Sequence, residues 1–194
     1  MMDAYLIGAS ITLALVSPII YAISMVRGRS QPARMTRFVV WLAAAISFIS
    51  LYADGSSGAV WLAGVFAARN LFLLVMSFWY GVGGWTRLDQ ICLTIAGAGL
   101  LGWQIVGDPL IALVFAILAD LVGFVPTFVK TYREPTSEEP QFFYLESLAV
   151  VLNIIVIGAW SEDLLFPVYI LASNIIVLSL IFKLPQKVVR RMMV

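Results

Sequence analysis

The sequence predicts an all-α integral membrane protein of seven transmembrane helices, laid out as a 3+1+3 parallel repeat of three-helix bundles. Three observations predict it: an apolar composition, seven apolar stretches, and matching punctuation 108 positions apart (Pro18 with Pro126, Pro32 with Pro140, Asp54 with Glu162). Of 194 residues, 62% are hydrophobic and 12% charged, with mean hydropathy +0.99. A soluble domain of this length has no interior large enough for so much apolar surface. In lipid, backbone groups find partners only within a helix or a closed barrel, so stretches of this kind read as helices.

The first stretch, 4–26, is long enough to cross a hydrocarbon core of about 30 Å, which takes around 20 helical residues. It follows Asp3 rather than a basic leader and lacks a small-residue cleavage site, so it is expected to remain as a permanent helix. Ser17-Pro18 interrupt it. The second stretch, 37–52, is short and follows a basic loop. The third, 58–80, contains Ala68-Arg69-Asn70. The fourth, 90–106, is also short and carries Gly97, Gly99 and Gly102 with Ala96 and Ala98. Small residues let helices approach closely, so this segment is expected to wedge against one bundle as a connector. The fifth, 110–129, holds Asp120, Gly123 and Pro126. The sixth, 141–159, carries Glu146 and Asn153, and the seventh, 165–182, ends its polar marks at Ser173-Asn174.

Charge placement sets the expected orientation. Arg27, Arg29, Arg34, Arg37, Arg87, Lys130, Arg133, Lys183, Lys187, Arg190 and Arg191 all fall on one side of a seven-helix layout. The opposite loops hold only Asp3, Asp54, Asp108, Glu162 and Asp163. Basic loops stay cytoplasmic, which places the N-terminus outside and the C-terminus inside, in the plasma (inner) membrane. A net charge of +1 adds nothing to this, and a single cysteine, Cys92, excludes an intramolecular disulfide.

Three helices, a connector and three helices give the division 1–82, 83–108 and 109–194. One connecting helix leaves both triplets in the same orientation, a parallel repeat about an axis along the membrane normal.

The marks also resemble a family. Ser17-Pro18, and Val125-Pro126-Thr127-Phe128, each followed by a polar loop and a further proline, are similar to the SWEET sugar facilitators and their PQ-loop relatives. The chain departs from that pattern where Ile19 and Thr127 follow the prolines, and where Glu134, Glu138 and Glu139 make the second loop acidic. It also looks like a group of small bacterial seven-helix membrane proteins with no assigned substrate. The resemblance implies a SWEET-like fold and a solute passing between the bundles. It further implies that Asn70 and Asn174, brought into correspondence by sliding the third helix 104 positions onto the seventh, face each other across that solute.

Read by themselves, the charges inside helices say something similar. A charge at the bilayer centre is costly and needs a partner or a cavity. Arg69 and Asp120 both lie about halfway along their segments, so the two are expected either to pair across the bundles or to line the path. Asn70 and Asn174 offer amide donors and acceptors suited to hydroxyl groups, or an interhelical bond worth roughly 1 kcal/mol. Asn153 lies one heptad beyond Glu146 and is expected to extend the polar track outward. Asp120 and Glu146 are the candidate proton sites. Pro18, and Pro126 with Gly123 one turn before it, are candidate hinges. Trp79, Trp85 and Trp160 read as interfacial belt residues; Trp61 is either belt or a ring-stacking platform.

The chain has no histidine, and no nucleotide loop, metal-ligand cluster or nucleophile–base set is visible, so neither an enzyme nor a cofactor is expected. The expected partners are the lipid bilayer and a small polar solute, with no nucleic acid; the oligomeric state stays open. The expected function is a facilitator of that solute, a sugar being one candidate, through alternating access between the bundles. The alternatives are a carrier of a vitamin such as nicotinamide riboside, or a membrane receptor that binds without transport.

Overall fold

The computed structural model describes residues 2–30, 32, 34–56, 59–81, 83, 86–135, 138–158 and 160–192, with the side chains of 2–4, 130 and 183–192 outside that description. Trp85 and the side chains of Asp3, Lys130, Lys183, Lys187, Arg190 and Arg191 therefore lie outside the described residues. The described chain is helical: α1 Met2–Val26, α2 Arg34–Ala53, α3 Ala59–Tyr80, α4 Arg87–Val106, α5 Pro109–Arg133, α6 Pro140–Ile157 and α7 Leu165–Met192, with a 3-10 turn Glu162–Leu164 before α7. Among the described residues, seven helices are long and apolar enough to cross a membrane. The second and fourth, short in the sequence reading, extend to Arg34 and Arg87 because polar first turns continue the helix beyond the apolar run.

Local chemistry sets the boundaries. Thr86 and Asp89 form a reciprocal capping box at the start of α4, and Gly107 ends it at φ 81, a left-handed turn that suits glycine. The Asp108 carboxylate accepts from the Leu110 amide at 2.9 Å just ahead of Pro109, where a missing N–H costs nothing. Pro140 likewise occupies the first turn of α6, where Glu139 makes no side-chain cap bond.

The helices α1, α3, α2, α5, α7 and α6 follow one another around the molecule, each packed on the next, and α6 returns to α1. Packed against α5 and, more lightly, α2 is α4. Cys92 and Ala96 of α4 meet Val39 and Ile46 of α2 and Ala112, Ala116 and Ala119 of α5. A methyl group at Gly99 would overlap the Phe115 side chain, so glycine there allows the close approach. Gly97 faces open space and takes no part. α4 thus rests chiefly on α5, with a lighter contact to α2.

Pro18 and Pro126 both lie inside continuous helices. The Ser17 hydroxyl donates to the Ala14 carbonyl at 3.3 Å, the acceptor that Pro18 leaves without its usual partner. Val125 has no hydroxyl to do the same before Pro126. Pro18 is buried and Pro126 exposed, so the two prolines occupy different environments despite their spacing. Buried faces coincide at a shorter slide. Val39, Ala43, Ile46 and Ser50 of α2 recur on α6 as Phe142, Glu146, Ala149 and Asn153, each 103 positions on. Leu62, Phe66, Arg69, Asn70 and Leu73 of α3 recur on α7 as Phe166, Ile170, Ser173, Asn174 and Val177, each 104 positions on.

Candidate functional site

Inside the ring of six helices lies a cavity of about 240 Å³. It is bordered by Tyr21 of α1, Arg37 and Ser47 of α2, Arg69 and Asn70 of α3, Asp120 and Gly123 of α5, Glu146 of α6, and Tyr169 and Asn174 of α7, among others. Pro32 and Glu138, from the α1–α2 and α5–α6 loops, border it as well, so it reaches the end of the bundle that carries those loops. At the opposite end the helices close. Leu51, Leu62, Phe66, Leu113, Val150, Phe166 and Ile170 belong to one buried apolar cluster there. Across the seal, the rings of Phe66 and Phe166 meet edge to face, 5.7 Å between centroids at 78°.

The basic end is tied by polar contacts between helix termini. The Arg34 guanidinium donates to the Ser77 carbonyl at 3.2 Å, and the Thr36 hydroxyl donates to Asp89 at 3.2 Å. Arg29 lies 3.9 Å from Glu139, joining the α1–α2 and α5–α6 loops; Arg29 is 58% exposed, so this pair adds little stability. Arg37 reaches inward and stacks on the Tyr21 ring at 4.7 Å.

Within the cavity the sequence expectations divide. Arg69, Asn70, Asp120, Glu146 and Asn174 converge on the same space, as do Gly123 and Pro126. The partner of Arg69, however, is Glu146 of α6 and not Asp120 of α5. Depth along the membrane was readable from the chain; which of two acids at similar depth faces Arg69 depends on helix rotation. Arg69 also lies flat on Phe66, 3.7 Å from the ring centroid, and 5.3 Å from that of Phe142. Both members of the pair are buried, which demands nearly complete hydrogen bonding. That demand is not met internally, because Nε and Nη1 of Arg69 have no hydrogen-bond partner among the described residues.

Asp120 is held differently. Its Oδ2 accepts from the Tyr169 hydroxyl at 2.7 Å. Among the described residues its Oδ1 is buried without a hydrogen-bond partner, and so is Nδ2 of Asn174, although that amide lies beside the Glu146 carboxyl. Buried polar atoms in a finished core are nearly always satisfied. Here three residues facing one cavity leave donors and an acceptor open.

Asn153 does not line the cavity. It is buried two turns beyond Glu146, where the apolar cluster has already closed the space, so the expected outward track stops at Glu146. Pro18 is likewise absent from the wall. Trp61, Trp79 and Trp160 are exposed and stand away from it. The sequence reading missed Tyr169, Arg37 and the aromatic walls. Tyr169 precedes Ser173 by four residues, a helical spacing that places it on the same face, and this was the available signal.

Comparison with protein-family models, with curated proteins and with solved structures finds no match to this chain.

Proposed function

We propose that this protein is a membrane carrier for a small polar solute, working by alternating access between two three-helix bundles, residues 1–82 and 109–194, joined by α4. The observation that carries the reading is the cavity: central, bordered by six helices, sealed at one end and reaching the loops at the other, with open donors and an acceptor at mid-span. A static bundle gains nothing from leaving Asp120 Oδ1 and Arg69 Nε and Nη1 unsatisfied; a binding site does. At about 240 Å³ the space suits a small solute rather than a drug-sized ligand.

The order of packing supports the 3+1+3 repeat. Exchanging α1, α2 and α3 for α5, α6 and α7 turns α1–α6 into α5–α2, α2–α3 into α6–α7 and α1–α3 into α5–α7, and all six packed pairs exist. The coinciding buried faces of α2 with α6 and α3 with α7 support it too. With the basic loops cytoplasmic, the cavity reaches the inside and the Phe66–Phe166 seal is the closed outer gate. Asn70 and Asn174 would contact the solute from the two bundles, with Arg69 and Asp120 shaping the space between them.

Liposome uptake by the purified chain, over a panel of sugars, nucleosides including nicotinamide riboside, and amino acids, tests the reading. One class is expected to enter, and Asn174→Ala is expected to cut its uptake at least tenfold. Binding without entry would favour a receptor, and neither binding nor entry would end the proposal. Cysteine labelling of the loop holding Arg27 and Arg29 checks the orientation; modification from the outer face would reverse it.

A further inference from the structure

We infer that the solute carries a protonated amine, held at mid-span by Asp120; this rests on the carrier reading above. Asp120 is 9% exposed, and only one of its carboxylate oxygens is engaged, by the Tyr169 hydroxyl. The other, Oδ1, is buried, has no hydrogen-bond partner among the described residues, and belongs to a residue that borders the cavity. A buried carboxylate needs either a counter-charge or a set of donors. Among the described residues, Arg69 and Arg37 are the cations within electrostatic reach. Arg69 is taken by Glu146, and Arg37 is stacked on Tyr21.

The wall as a whole points the same way. Glu146 and Arg69 offset each other there, and Arg37 lies against Tyr21, so the open oxygen at mid-span is that of Asp120. A neutral polyol would satisfy Oδ1 with one hydroxyl and leave the charge in place. An anion would be repelled. An ammonium group supplies charge and several donors at once, and the rings of Tyr21, Phe124, Phe142 and Tyr169 border the same space and favour a cation near their faces. On the other side of the cavity, Arg69 Nε and Nη1 and Asn174 Nδ2 are donors in need of acceptors. The two sets together describe a small amine that also carries hydroxyl or carbonyl oxygens.

Matched solutes that differ in one group isolate the amine. The purified chain in liposomes is given glucosamine against glucose, and ethanolamine against ethylene glycol, with glycolate as an anion; binding is read by calorimetry and entry by uptake. The expected result is that an amine binds about tenfold to a hundredfold more tightly than its hydroxyl partner. Asp120→Asn should erase that preference while its unfolding midpoint in detergent stays close to the parent, because the amide oxygen still accepts from Tyr169. Tyr169→Phe retains the charge and should retain the preference. Equal binding of amine and hydroxyl partners overturns the inference, as does a preference that survives Asp120→Asn or a complete absence of amine binding. Should Asp120→Asn fail to fold, the ratio measured on the parent protein decides alone. Amines that bind without entering leave the inference standing and remove the carrier; entry of glucose or glycolate with no amine preference does the reverse.

Discussion

Two helices of the same length, α1 and α5, are each 25 residues long with one internal proline, yet they contribute very differently to the cavity. From α5 come Ile117, Asp120, Gly123, Phe124, Pro126 and Thr127; among the described residues of α1, only Tyr21 lines it. At the 108-residue spacing the counterpart of Asp120 is Thr12, which is exposed and turns its hydroxyl to the Gly8 carbonyl of its own helix at 2.8 Å. The difference teaches that equal length and an internal proline do not mean shared chemistry. An acid inside the membrane is tolerable only on a face that meets a cavity or a partner, and α5 has such a face because Ala112, Ala116 and Ala119 give its other side to α4 and α2.

The strongest challenge to that contrast removes Glu146. Glu146→Ala leaves the buried Arg69 without its partner, and a loss of about 3–5 kcal/mol is expected in a detergent unfolding titration. A loss below about 1 kcal/mol would mean that Asp120 of α5 takes over Arg69, so that the acids of α5 and α6 are interchangeable. Replacing both partners, Arg69→Met with Glu146→Leu, should restore most of the stability while abolishing uptake.

Next in size is transplanting the acid. Thr12→Asp puts a carboxylate on the exposed face of α1 and is expected to cost about 2.5–3.5 kcal/mol, read as failed insertion or a lowered unfolding midpoint. If it is tolerated, α1 has a polar neighbour at that level and the contrast with α5 weakens. Smaller again, Gly99→Val drives a side chain into Phe115 and should cost about 1–3 kcal/mol, while Gly97→Val, which faces open space, should be nearly silent. Equal effects would show that α4 does not seat on α5 through Gly99. The smallest effect belongs to the prolines. Ser17→Ala leaves the Ala14 carbonyl short of a donor and should cost about 1 kcal/mol, whereas Val125→Ala before Pro126 removes no such bond. Both are measurable as shifts in thermal midpoint.

Part of the site was legible because depth is a property of the chain. Counting residues from the ends of an apolar stretch places Arg69, Asp120 and Glu146 in the span, and sliding α3 onto α7 pairs Asn70 with Asn174; all five border one cavity. Rotation was not legible. The Arg69–Glu146 pair, the Tyr169 bond to Asp120 and the withdrawal of Asn153 from the wall all turn on which way a helix faces once its neighbours are in place. Helices that are apolar on every side carry little amphipathic signal, so periodicity has nothing to read. The prolines misled for a related reason. Their spacing records where helices are punctuated, while the buried faces of α2 and α6, and of α3 and α7, coincide 103 and 104 positions apart.

By itself, then, the sequence determined the solvent, the number of helices and their apolar spans. Hydrophobic length and backbone satisfaction act locally, and lipid leaves a chain of this composition no other option. Tertiary structure alone decided the circular order of the helices, the seat of α4, the seal at Phe66 and Phe166, and the partner of each buried charge. Those depend on side-chain packing between helices distant in the chain, where shape and a few hydrogen bonds select among arrangements that burial of apolar area leaves equal.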